Sequence, residues 1–317
     1  SPWNYPMWMA IWKIGPALAA GNSIVLKPAS ATPLTTIRLA ELALEAGIPA
    51  GVLNVVTSSD HAIGGRLCAD PRVDQISFTG STATGRKVMA AAADNLTRVF
   101  LELGGKSAFA VLDDADLGAA CATAAFTVCM NAGQGCAITT RLVVPRARFD
   151  EAVDTVRSVL ESMPAGDPTD PSVVCGPLIS ERQRDRVEGY LRLAVDEGGE
   201  ILCGGARAPG GVGWFVDPAV IVGVGNDARV AQEEIFGPVL VVLAHDGDDD
   251  AVAVANDSPY GLSGSVWSGD RDRAMAAAAR IRTGTLGVNG GVWYSPDVPF
   301  GGYKHSGIGR EMGIAGF

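Results

Sequence analysis

Short apolar runs alternate with amphipathic stretches over the first part of the chain. Apolar runs predict β-strands at 23–27, 52–56, 75–78 and 99–103. Helical spacing of apolar positions predicts helices at 34–46, at 62–69 and from a Gly-flanked turn at 79–85 to about residue 93. Strands that alternate with helices form βαβ units, so the pattern predicts an α/β fold with mostly parallel sheets.

The same alternation continues after the pair Gly104-Gly105, where we expect the chain to pass from a first lobe into a second. Predicted strands of the second lobe lie at 107–112, 141–144, 214–222, 239–243, 264–267 and 285–288. Predicted helices lie at 117–130, 149–163, 181–197, 249–256 and 271–281, and residues 299–303 form a final loop. No apolar run is long enough to cross a membrane.

The composition narrows the class of protein. The 317 residues are 47% hydrophobic, which is enough for two buried cores, and the net charge of −10 argues against nucleic acid or a membrane surface as partner. The cysteines contain no C-x-x-C pair and the histidines are scattered, so we expect neither a metal site nor disulfides, and a cytoplasmic location. Because the chain opens on Ser1 rather than Met and stops abruptly at Phe317, we expect it to be a fragment.

The strongest candidate for chemistry is Cys136, which closes the segment Asn131-Ala-Gly-Gln-Gly-Cys. Gly133 and Gly135 let the backbone approach a reacting atom, as a cysteine nucleophile requires. The alternative is a structural cysteine buried in a glycine turn. The remaining cysteines lack this setting and are expected to be packing residues: Cys68, Cys121, Cys129, Cys175 and Cys203.

Two further polar residues lie in apolar surroundings. Glu102 lies near the end of the apolar run at 99–103, between Leu101 and Leu103, where burial would raise the pKa of a carboxylate toward that of a working base. The alternative is a buried ion pair with a nearby lysine. Asn4, between Trp3 and Tyr5, offers an amide donor to an oxyanion, and its alternative is a turn residue bonded to its own backbone.

Two strand ends are candidates for binding a nucleotide. The turn after the strand at 75–78 has the amide-rich helix start that holds phosphate, although it is not a G-x-G-x-x-G motif. Lys27 ends the first predicted strand, where ligands of open α/β sheets collect. Its ammonium group either reaches a ribose or a phosphate, or is simply solvated.

Taken together, eight sequence blocks resemble the aldehyde dehydrogenase superfamily over essentially the whole chain. In order, they are Pro2-Trp-Asn-Tyr-Pro, Gly15-Pro-Ala-Leu-Ala-Ala-Gly-Asn, Leu26-Lys-Pro-Ala, Phe78-Thr-Gly-Ser, Leu101-Glu-Leu-Gly-Gly-Lys, Asn131-Ala-Gly-Gln-Gly-Cys, Glu233-Glu-Ile-Phe-Gly-Pro and Pro299-Phe-Gly-Gly-Tyr-Lys-x-Ser-Gly. The resemblance implies two Rossmann-like three-layer lobes, with a cofactor-binding domain at 1–104, a catalytic domain at 105–306 and a C-terminal segment at 307–317. It also implies a homodimer or homotetramer.

The resemblance implies a role for individual residues. Cys136 would be the nucleophile, Glu102 the general base and Asn4 the oxyanion donor. Lys27 would contact the adenosine ribose, Gly80 and Ser81 the pyrophosphate, and Glu234 with Phe236 the nicotinamide ribose. The complete implied set of cofactor contacts is Trp3, Lys27, Ala29, Ser30, Gly64, Gly80, Ser81, Leu103, Glu234 and Phe236.

Two departures from the family pattern concern the cofactor. Ser58 stands where the family often has glycine, which puts phosphate contacts of that loop in question, although Gly64 is kept. Ser30 stands where strict NAD users often carry Glu, whose carboxylate would repel a 2′-phosphate. We therefore expect NAD as cofactor and leave NADP use open.

The substrate is expected to be a small aldehyde. Tyr5, Trp8, Met9 and Trp12 fall at helical spacing on one face, and family resemblance adds Met130, Tyr294 and Phe300 to a substrate tunnel. The alternative is that the helical face with Tyr5, Trp8, Met9 and Trp12 is an ordinary part of the hydrophobic core. Related semialdehyde enzymes often carry Arg near the position of Trp12, so we expect an uncharged medium-chain or aromatic aldehyde. An aminoaldehyde of the betaine-aldehyde type or a semialdehyde is the alternative substrate.

Two other functions remain open from the sequence. A cysteine-dependent acyl hydrolase would use the same thiol without hydride transfer, but it would leave the cofactor motifs unexplained. A catalytically idle relative would retain the fold alone, and the presence of Cys136, Glu102 and Asn4 argues against it.

Overall fold

A computed structural model describes residues 1–206, 213–291 and 294–317, and the chain divides into two compact units. The first unit combines Ser1–Gly104 with Tyr294–Phe317, and the second comprises Gly105–Trp293. The division after Gly104 coincides with the predicted passage between lobes. Residues 294–306, predicted above to lie with the second domain, instead belong to the first unit.

Helices and strands alternate along the described residues, as the hydrophobic pattern predicts. The helices are α1 (Pro6–Ala19), α2 (Leu34–Glu45), α3 (Ala62–Ala69), α4 (Thr82–Ala93), α5 (Leu117–Cys129), α6 (Phe149–Glu161), α7 (Glu181–Asp196), α8 (Arg229–Gln232), α9 (Asp248–Asn256), α10 (Arg271–Ala278) and α11 (Gly313–Gly316). The strands are β1 (Ile24–Leu26), β2 (Leu53–Val55), β3 (Gln75–Thr79), β4 (Arg98–Glu102), β5 (Ser107–Val111), β6 (Thr139–Pro145), β7 (Glu200–Cys203), β8 (Ala219–Val222), β9 (Val239–His245), β10 (Tyr260–Gly261), β11 (Ser263–Trp267), β12 (Thr285–Val288), β13 (Tyr303–Lys304) and β14 (Gly307–Ile308).

The strands described in the first unit form small sheets. In one, β1 and β2 run parallel, with Ile24 opposite Leu53. In another, the strand order is β14-β4-β3, with β3 parallel and β14 antiparallel to β4. Glu102 lies opposite Thr79 on one side and Gly307 on the other. The pairing of β14 with β4 explains why the C-terminal segment belongs to the first unit.

One larger sheet forms the centre of the second unit. Among its described residues, the strand order is β12-β11-β5-β6-β9-β8-β7, and every neighbouring pair is parallel except β7 with β8. Phe109 of β5 lies in one core with residues of α5, α6 and α7, whereas its neighbour Ala110 lies in another with residues of α9 and α10. Because adjacent side chains point to opposite faces of a sheet, helices cover both faces and the unit has three layers.

The observed elements confirm most of the pattern and correct part of it. Helix α3 and strand β12 begin and end at their predicted residues. The strand predicted at 214–222 is wrong in its first half, because β8 begins only at Ala219. Pro218 has no N–H to give to a strand ladder, and the N–H of Asp217 donates to Ala206 O over 2.9 Å instead.

Strand β7 was not predicted, because its apolar run of three residues, Ile201 to Cys203, is shorter than the runs used to predict strands. Among the described residues, no helix combines the length and the apolar character needed to cross a bilayer.

Candidate active site

Cys136 follows a left-handed turn in the second unit. Helix α5 ends at Cys129, and Asn131, Ala132 and Gly133 then take φ angles of +50°, +52° and +70°. Non-glycine residues rarely adopt this conformation, and strained backbone of this kind clusters at functional sites. The turn therefore has a conformational free-energy cost that the surrounding hydrogen bonds must offset. Cys136, which follows it, is half-buried.

Gln134 holds this turn together. Its Nε2 donates to Asn131 O over 3.0 Å, and Asn131 Nδ2 donates back to Gln134 O over 3.2 Å. The Oε1 of Gln134 also accepts the backbone N–H of Ile179 over 3.0 Å. Gln134 is 4% exposed, so these bonds do not compete with water. The sequence motif contained Gln134, but nothing in the spacing of the motif indicated that its side chain ties the loop to a distant segment.

Glycines allow other backbone segments of the second unit to approach the Cys136 loop. A Cβ on Gly133 would overlap the backbone of Gly237, and a Cβ on Gly105 would overlap the carbonyl oxygen of Cys136. These contacts give a physical reason for glycine in both the Asn131–Cys136 segment and the Leu101–Lys106 segment. The sequence motifs of the second unit thus meet around the backbone of Cys136.

The remaining cysteines have the environments of packing residues. Burial raises the pKa of Cys121 and of Cys129 to about 12, and it raises the pKa of Cys175 further. Burial also raises the pKa of Cys68 and Cys203. A thiol rather than a thiolate at neutral pH is a poor nucleophile, and none of the six cysteines forms a disulfide.

Glu102 is completely buried at the end of β4 in the first unit. Its backbone carbonyl accepts the N–H of Gly80 over 3.1 Å, and its backbone pairs with Gly307. Burial of a carboxylate in such surroundings costs free energy unless polar partners stabilise it, and residues with such a cost are candidates for a function. Asn4 lies in the same unit, half-buried and two residues before α1 begins at Pro6.

The loop that carries Glu234 and Phe236 is fastened to α7. Gln183 Nε2 donates to Phe236 O over 2.7 Å, and Arg186 Nε donates to Ile235 O over 3.2 Å. Phe236 has a φ of +63°, so the loop is another strained segment. The Glu234 carboxylate accepts the N–H of Gly105, and burial raises its pKa to about 7, opposed by that hydrogen bond and by nearby positive charges.

Lys106 is a buried titratable residue that the sequence reasoning did not single out. It is 1% exposed, and its Nζ has no hydrogen-bond partner among the described residues. Burial and the Arg141 guanidinium lower its pKa to about 7, while Glu234 and Glu233 act in the opposite direction. Its backbone carbonyl accepts Arg141 Nε over 2.9 Å. The feature that distinguishes Lys106 is a buried ammonium group whose Nζ has no hydrogen bond among the described residues, and only the structure reveals it.

The first unit contains the predicted phosphate-binding turn. Strand β3 leads through Gly80 and Ser81 into α4, and the Ser81 hydroxyl accepts Thr84 N over 3.3 Å as the N-cap. A Cβ on Gly80 would overlap the ring of Phe78, so a larger residue there would require the ring to move. The first backbone amides of this helix lack intrahelical acceptors, which suits a pyrophosphate.

The other predicted cofactor residues lie around the ends of β1, α3 and β4. Lys27 Nζ donates to Pro28 O over 3.3 Å, and the exposed Ser30 donates its hydroxyl to Ser58 O over 3.0 Å. Leu103 is buried against Gly85 of α4. Trp3 and Ala29 are half-buried, and Gly64 lies within α3. The residues present in the first unit therefore fit a dinucleotide.

Five aromatic rings of the first unit form one cluster. Trp12 lies 5.6 Å from Trp8, 5.7 Å from Tyr294 and 5.7 Å from Phe300 between ring centroids, and Trp8 lies 5.9 Å from Tyr5. These separations are those of attractive edge-to-face pairs. We call Tyr5, Trp8, Trp12, Tyr294 and Phe300 the aromatic cluster.

The two methionines predicted for the tunnel have different environments. Met9 is buried, whereas its neighbour Trp8 is 47% exposed, so the predicted stripe does not share one environment. Met130 is half exposed and belongs to the second unit. Neither residue is part of the aromatic cluster.

A buried ion pair joins α1 to the C-terminal segment within the first unit. Lys13 Nζ lies 2.6 Å from Glu311 Oε1, and both side chains are 7% exposed. Lys13 also lies 5.5 Å from the centre of the Phe100 ring. The sequence reasoning missed this pair, because 298 residues separate its members.

The predicted site residues are thus divided between the units. The first unit contains Asn4, Glu102, the phosphate-binding turn and the aromatic cluster, and the second contains Cys136 and the Glu234 loop. Within each unit, residues from separate motifs are brought together by hydrogen bonds or ring contacts.

Comparison with known proteins gives the family. Residues 1–317 match the aldehyde dehydrogenase family. A geranial dehydrogenase of Castellaniella defragrans is 48% identical over 314 residues, which cover 98% of this chain and 65% of that protein. A phenylacetaldehyde dehydrogenase of Pseudomonas fluorescens is 42% identical over 315 residues, which cover 99% of this chain and 63% of that protein.

A solved structure of a family member has the same fold as this chain. The crystal structure of a Mycobacterium tuberculosis aldehyde dehydrogenase complexed with NAD+ has 50% sequence identity and a TM-score of 0.95, over 99% of this chain and 65% of that one. The chain spans less than two thirds of the length of each of these relatives. The predicted α/β fold is confirmed, and the chain belongs to the aldehyde dehydrogenase family.

Proposed function

We propose that the protein carrying this sequence oxidises an aldehyde to a carboxylic acid with NAD. The observation that supports this most is the half-buried Cys136 at the end of a strained, hydrogen-bonded turn, in a chain that matches the family from end to end. The other cysteines have a raised pKa or lack such a turn, so Cys136 is the thiol suited to nucleophilic attack.

In the proposed first step, Cys136 attacks the aldehyde as a thiolate. The S–C bond forms while an electron pair of the carbonyl moves to oxygen, which gives a thiohemiacetal anion. The Asn4 amide and the Cys136 backbone N–H are assigned to that oxyanion, and loss of one such donor typically costs about 10²–10³ in rate. When the oxyanion re-forms the C=O bond, the aldehyde hydrogen leaves as a hydride and a thioester remains on Cys136. NAD+, when bound, accepts that hydride.

In the proposed second step, Glu102 takes a proton from water as the water oxygen attacks the thioester carbon. The S–C bond breaks, the carboxylic acid leaves, and Cys136 returns as thiolate. The overall change is aldehyde, NAD+ and water to carboxylate, NADH and protons. A buried carboxylate at the end of β4 suits this role, because burial favours the uncharged form and so strengthens the carboxylate as a base.

The cofactor assignment rests on the phosphate-binding turn and the Glu234 loop. Gly80 and Ser81 are assigned to the pyrophosphate, Lys27 to the adenosine ribose, and Glu234 to the nicotinamide ribose. The M. tuberculosis relative is complexed with NAD+. Ser30 carries no negative charge to repel a 2′-phosphate, so we propose measurable NADP use as well.

The aromatic cluster supports an uncharged medium-chain or aromatic aldehyde as substrate. Its rings offer apolar contact and no positive charge for a second carboxylate. The relatives described above are named for geranial and phenylacetaldehyde. Because ring faces also attract cations, an aminoaldehyde is the second candidate.

We also propose a homo-oligomer and a cytoplasmic location. The six cysteines without disulfides suit a reducing compartment.

The test combines turnover with labelling of the thiol. The protein is incubated with phenylacetaldehyde and NAD+ or NADP+, and the absorbance of the reduced cofactor is followed. Mass spectrometry after acid quenching locates the acyl group, and Cys136→Ala is the control. A parallel incubation contains a phenylacetate ester, and hydrolysis of that ester without any reduced cofactor from the aldehyde would indicate an acyl hydrolase. Absence of both turnover and an acyl group on Cys136 would contradict the proposal.

A further inference from the structure

The chain folds into a tight turn beside the end of β4 after it returns to the first unit. Ser306 N donates to Tyr303 O over 3.0 Å, and Lys304 takes a left-handed φ of +54°. Gly307 then pairs with Glu102 as the start of β14. A Cβ on Gly307 would overlap the carbonyl of Leu101, so glycine permits this close pairing.

Ser306 makes two hydrogen bonds to the residues that follow Glu102. Its carbonyl oxygen accepts the N–H of Leu103 over 2.9 Å, and its Oγ donates to Gly104 O over 2.7 Å. Ser306 is completely buried, so water does not compete for either bond. The N–H of Gly80 donates to the carbonyl of Glu102, which belongs to the same peptide group as the N–H of Leu103. The backbone on the C-terminal side of Glu102 is therefore held from two segments.

The two glycines after Leu103 make the direction of the backbone dependent on these hydrogen bonds. Gly104 and Gly105 have no side chains to restrict the backbone, so the direction in which the chain leaves Glu102 depends on its hydrogen bonds. Without the Ser306 hydroxyl, the buried carbonyl of Gly104 would lose its donor. The cost of a buried unpaired carbonyl would favour a shift of the turn toward another donor.

We propose that Ser306 is a positioning residue that fixes the Glu102 carboxylate for activation of water. The proposal rests on the function of Glu102 proposed above. A displacement of about 1 Å can cost roughly 100-fold in rate, so even part of such a shift slows the step that uses Glu102. Attack by Cys136 and hydride transfer do not use Glu102, so they should continue at their normal rate.

The kinetic test separates formation of the thioester from its hydrolysis. Rapid mixing of the whole protein with phenylacetaldehyde and NAD+ gives the rate of the first turnover and the steady-state rate. For Ser306→Ala we expect a steady-state rate about 10-fold lower, with a first turnover within about twofold of the original. Ser306→Cys keeps a side chain of similar size that donates a weaker hydrogen bond, so its steady-state rate should also fall, but by less.

A matched control removes a comparable hydrogen bond from the other end of the same strand. Thr97 Oγ1 donates to Val73 O over 3.2 Å just before β4, and Thr97→Val should leave the ratio of the two rates unchanged. A merely structural role of Ser306 would lower the melting temperature and both rates together. That result, or unchanged rates in Ser306→Ala, would overturn the proposal.

A second measurement does not depend on turnover. Hydrogen exchange of peptides covering residues 100–106 should be faster in Ser306→Ala than in the original protein or in Thr97→Val, because the N–H of Leu103 would be less well held. Unchanged exchange would contradict the positioning function even if activity changed. Glu102→Gln distinguishes the two proposals: a normal steady-state rate there would contradict the function of Glu102, and not the hydrogen bonds of Ser306.

Discussion

Gly105 donates its backbone N–H to Oε1 of Glu234 over 3.0 Å. This bond ties Gly105, the first residue of the second unit, to the loop that we assign to the nicotinamide ribose. The same Gly105 approaches the carbonyl of Cys136 too closely to tolerate a Cβ. In the second unit, one glycine therefore adjoins both the nucleophile segment and the Glu234 loop.

The charge of Glu234 and its hydrogen bond can be separated by two substitutions. Glu234→Gln keeps an oxygen for Gly105 but removes the negative charge that the carboxylate carries above about pH 7, so in that range we expect weaker NAD+ binding and slower hydride transfer with little loss of stability. Glu234→Ala also removes the hydrogen bond, and it should lower the unfolding free energy by about 1–3 kcal/mol. Quenching of tryptophan fluorescence by NAD+ measures binding, and denaturant unfolding measures stability. Equal loss of stability in both variants would contradict this division.

Cys136→Ser should abolish aldehyde oxidation while NAD+ binding survives. A serine hydroxyl without an adjacent base is a far weaker nucleophile than a thiolate. Cys121→Ser and Cys203→Ser are the controls, and their turnover per folded molecule should stay within about threefold, because neither thiol has the setting of a nucleophile. Turnover and fluorescence titration with NAD+ are measured side by side. Retained turnover in Cys136→Ser would contradict the mechanism.

The sequence predicted the parts of the site that rest on local patterns. The strands predicted at 75–78 and 99–103 are found at Gln75–Thr79 and Arg98–Glu102, because apolar runs indicate strands to within about a residue. The glycine-rich segment before Cys136 was recognised from residue types that favour turns. The order of eight motifs then predicted the family, which the comparisons confirm.

The parts that could not be predicted depend on contacts between distant residues. Ser306 lies 202 residues from Gly104, and Gln134 lies 45 from Ile179, so no local spacing relates them. Lys106 is adjacent to a recognised motif, but its lack of a hydrogen-bond partner among the described residues is a property of the tertiary fold. Residues 294–306 were predicted to lie in the second domain for the same reason, since only contacts with residues distant in sequence, such as those of Tyr294 and Phe300 with Trp12, show that they belong to the first unit.

Ser30→Glu should lower NADP+ use selectively. Ser30 is exposed near the end of β1, and a carboxylate there would repel a 2′-phosphate but accept a hydrogen bond from a 2′-hydroxyl. We expect the ratio of kcat/KM for NADP+ to that for NAD+ to fall at least about 10-fold. Ser23→Glu adds the same charge before the same strand and serves as control. An unchanged ratio in Ser30→Glu would show that Ser30 does not face the ribose.

Lys106→Met should change how stability depends on pH. The folded pKa of Lys106 is about 7, while an unfolded lysine has a pKa of about 10.4. Between these values the unfolded chain binds a proton that the folded chain does not, so this group makes the unfolding free energy rise with pH. Arg141, Glu233 and Glu234 are the charged groups that act on it.

The slope from Lys106 is at most about 1.4 kcal/mol per pH unit, and it should vanish in Lys106→Met. The methionine variant should gain most over the original below about pH 7, where the folded protein must hold a buried ammonium group. Denaturant unfolding at several pH values, from below 7 upward, measures this difference, with the exposed Lys87→Met as control. Parallel curves for Lys106→Met and the original protein would show that Lys106 is charged throughout.

Trp12→Ala should test the substrate class. Trp12 contacts three other rings of the aromatic cluster, so its removal takes away apolar surface and loosens Trp8, Tyr294 and Phe300 at once. Burial of one large apolar side chain stabilises by about 1.5–3 kcal/mol, which corresponds to a rise in KM of roughly 10–100-fold for phenylacetaldehyde or geranial. Acetaldehyde is too small to need these rings, and its KM should change little. The exposed Trp214→Ala in the second unit is the control, and it should leave both values unchanged. The assignment would be wrong if succinic semialdehyde had the highest kcat/KM, because a cluster without positive charge has nothing to pair with its second carboxylate.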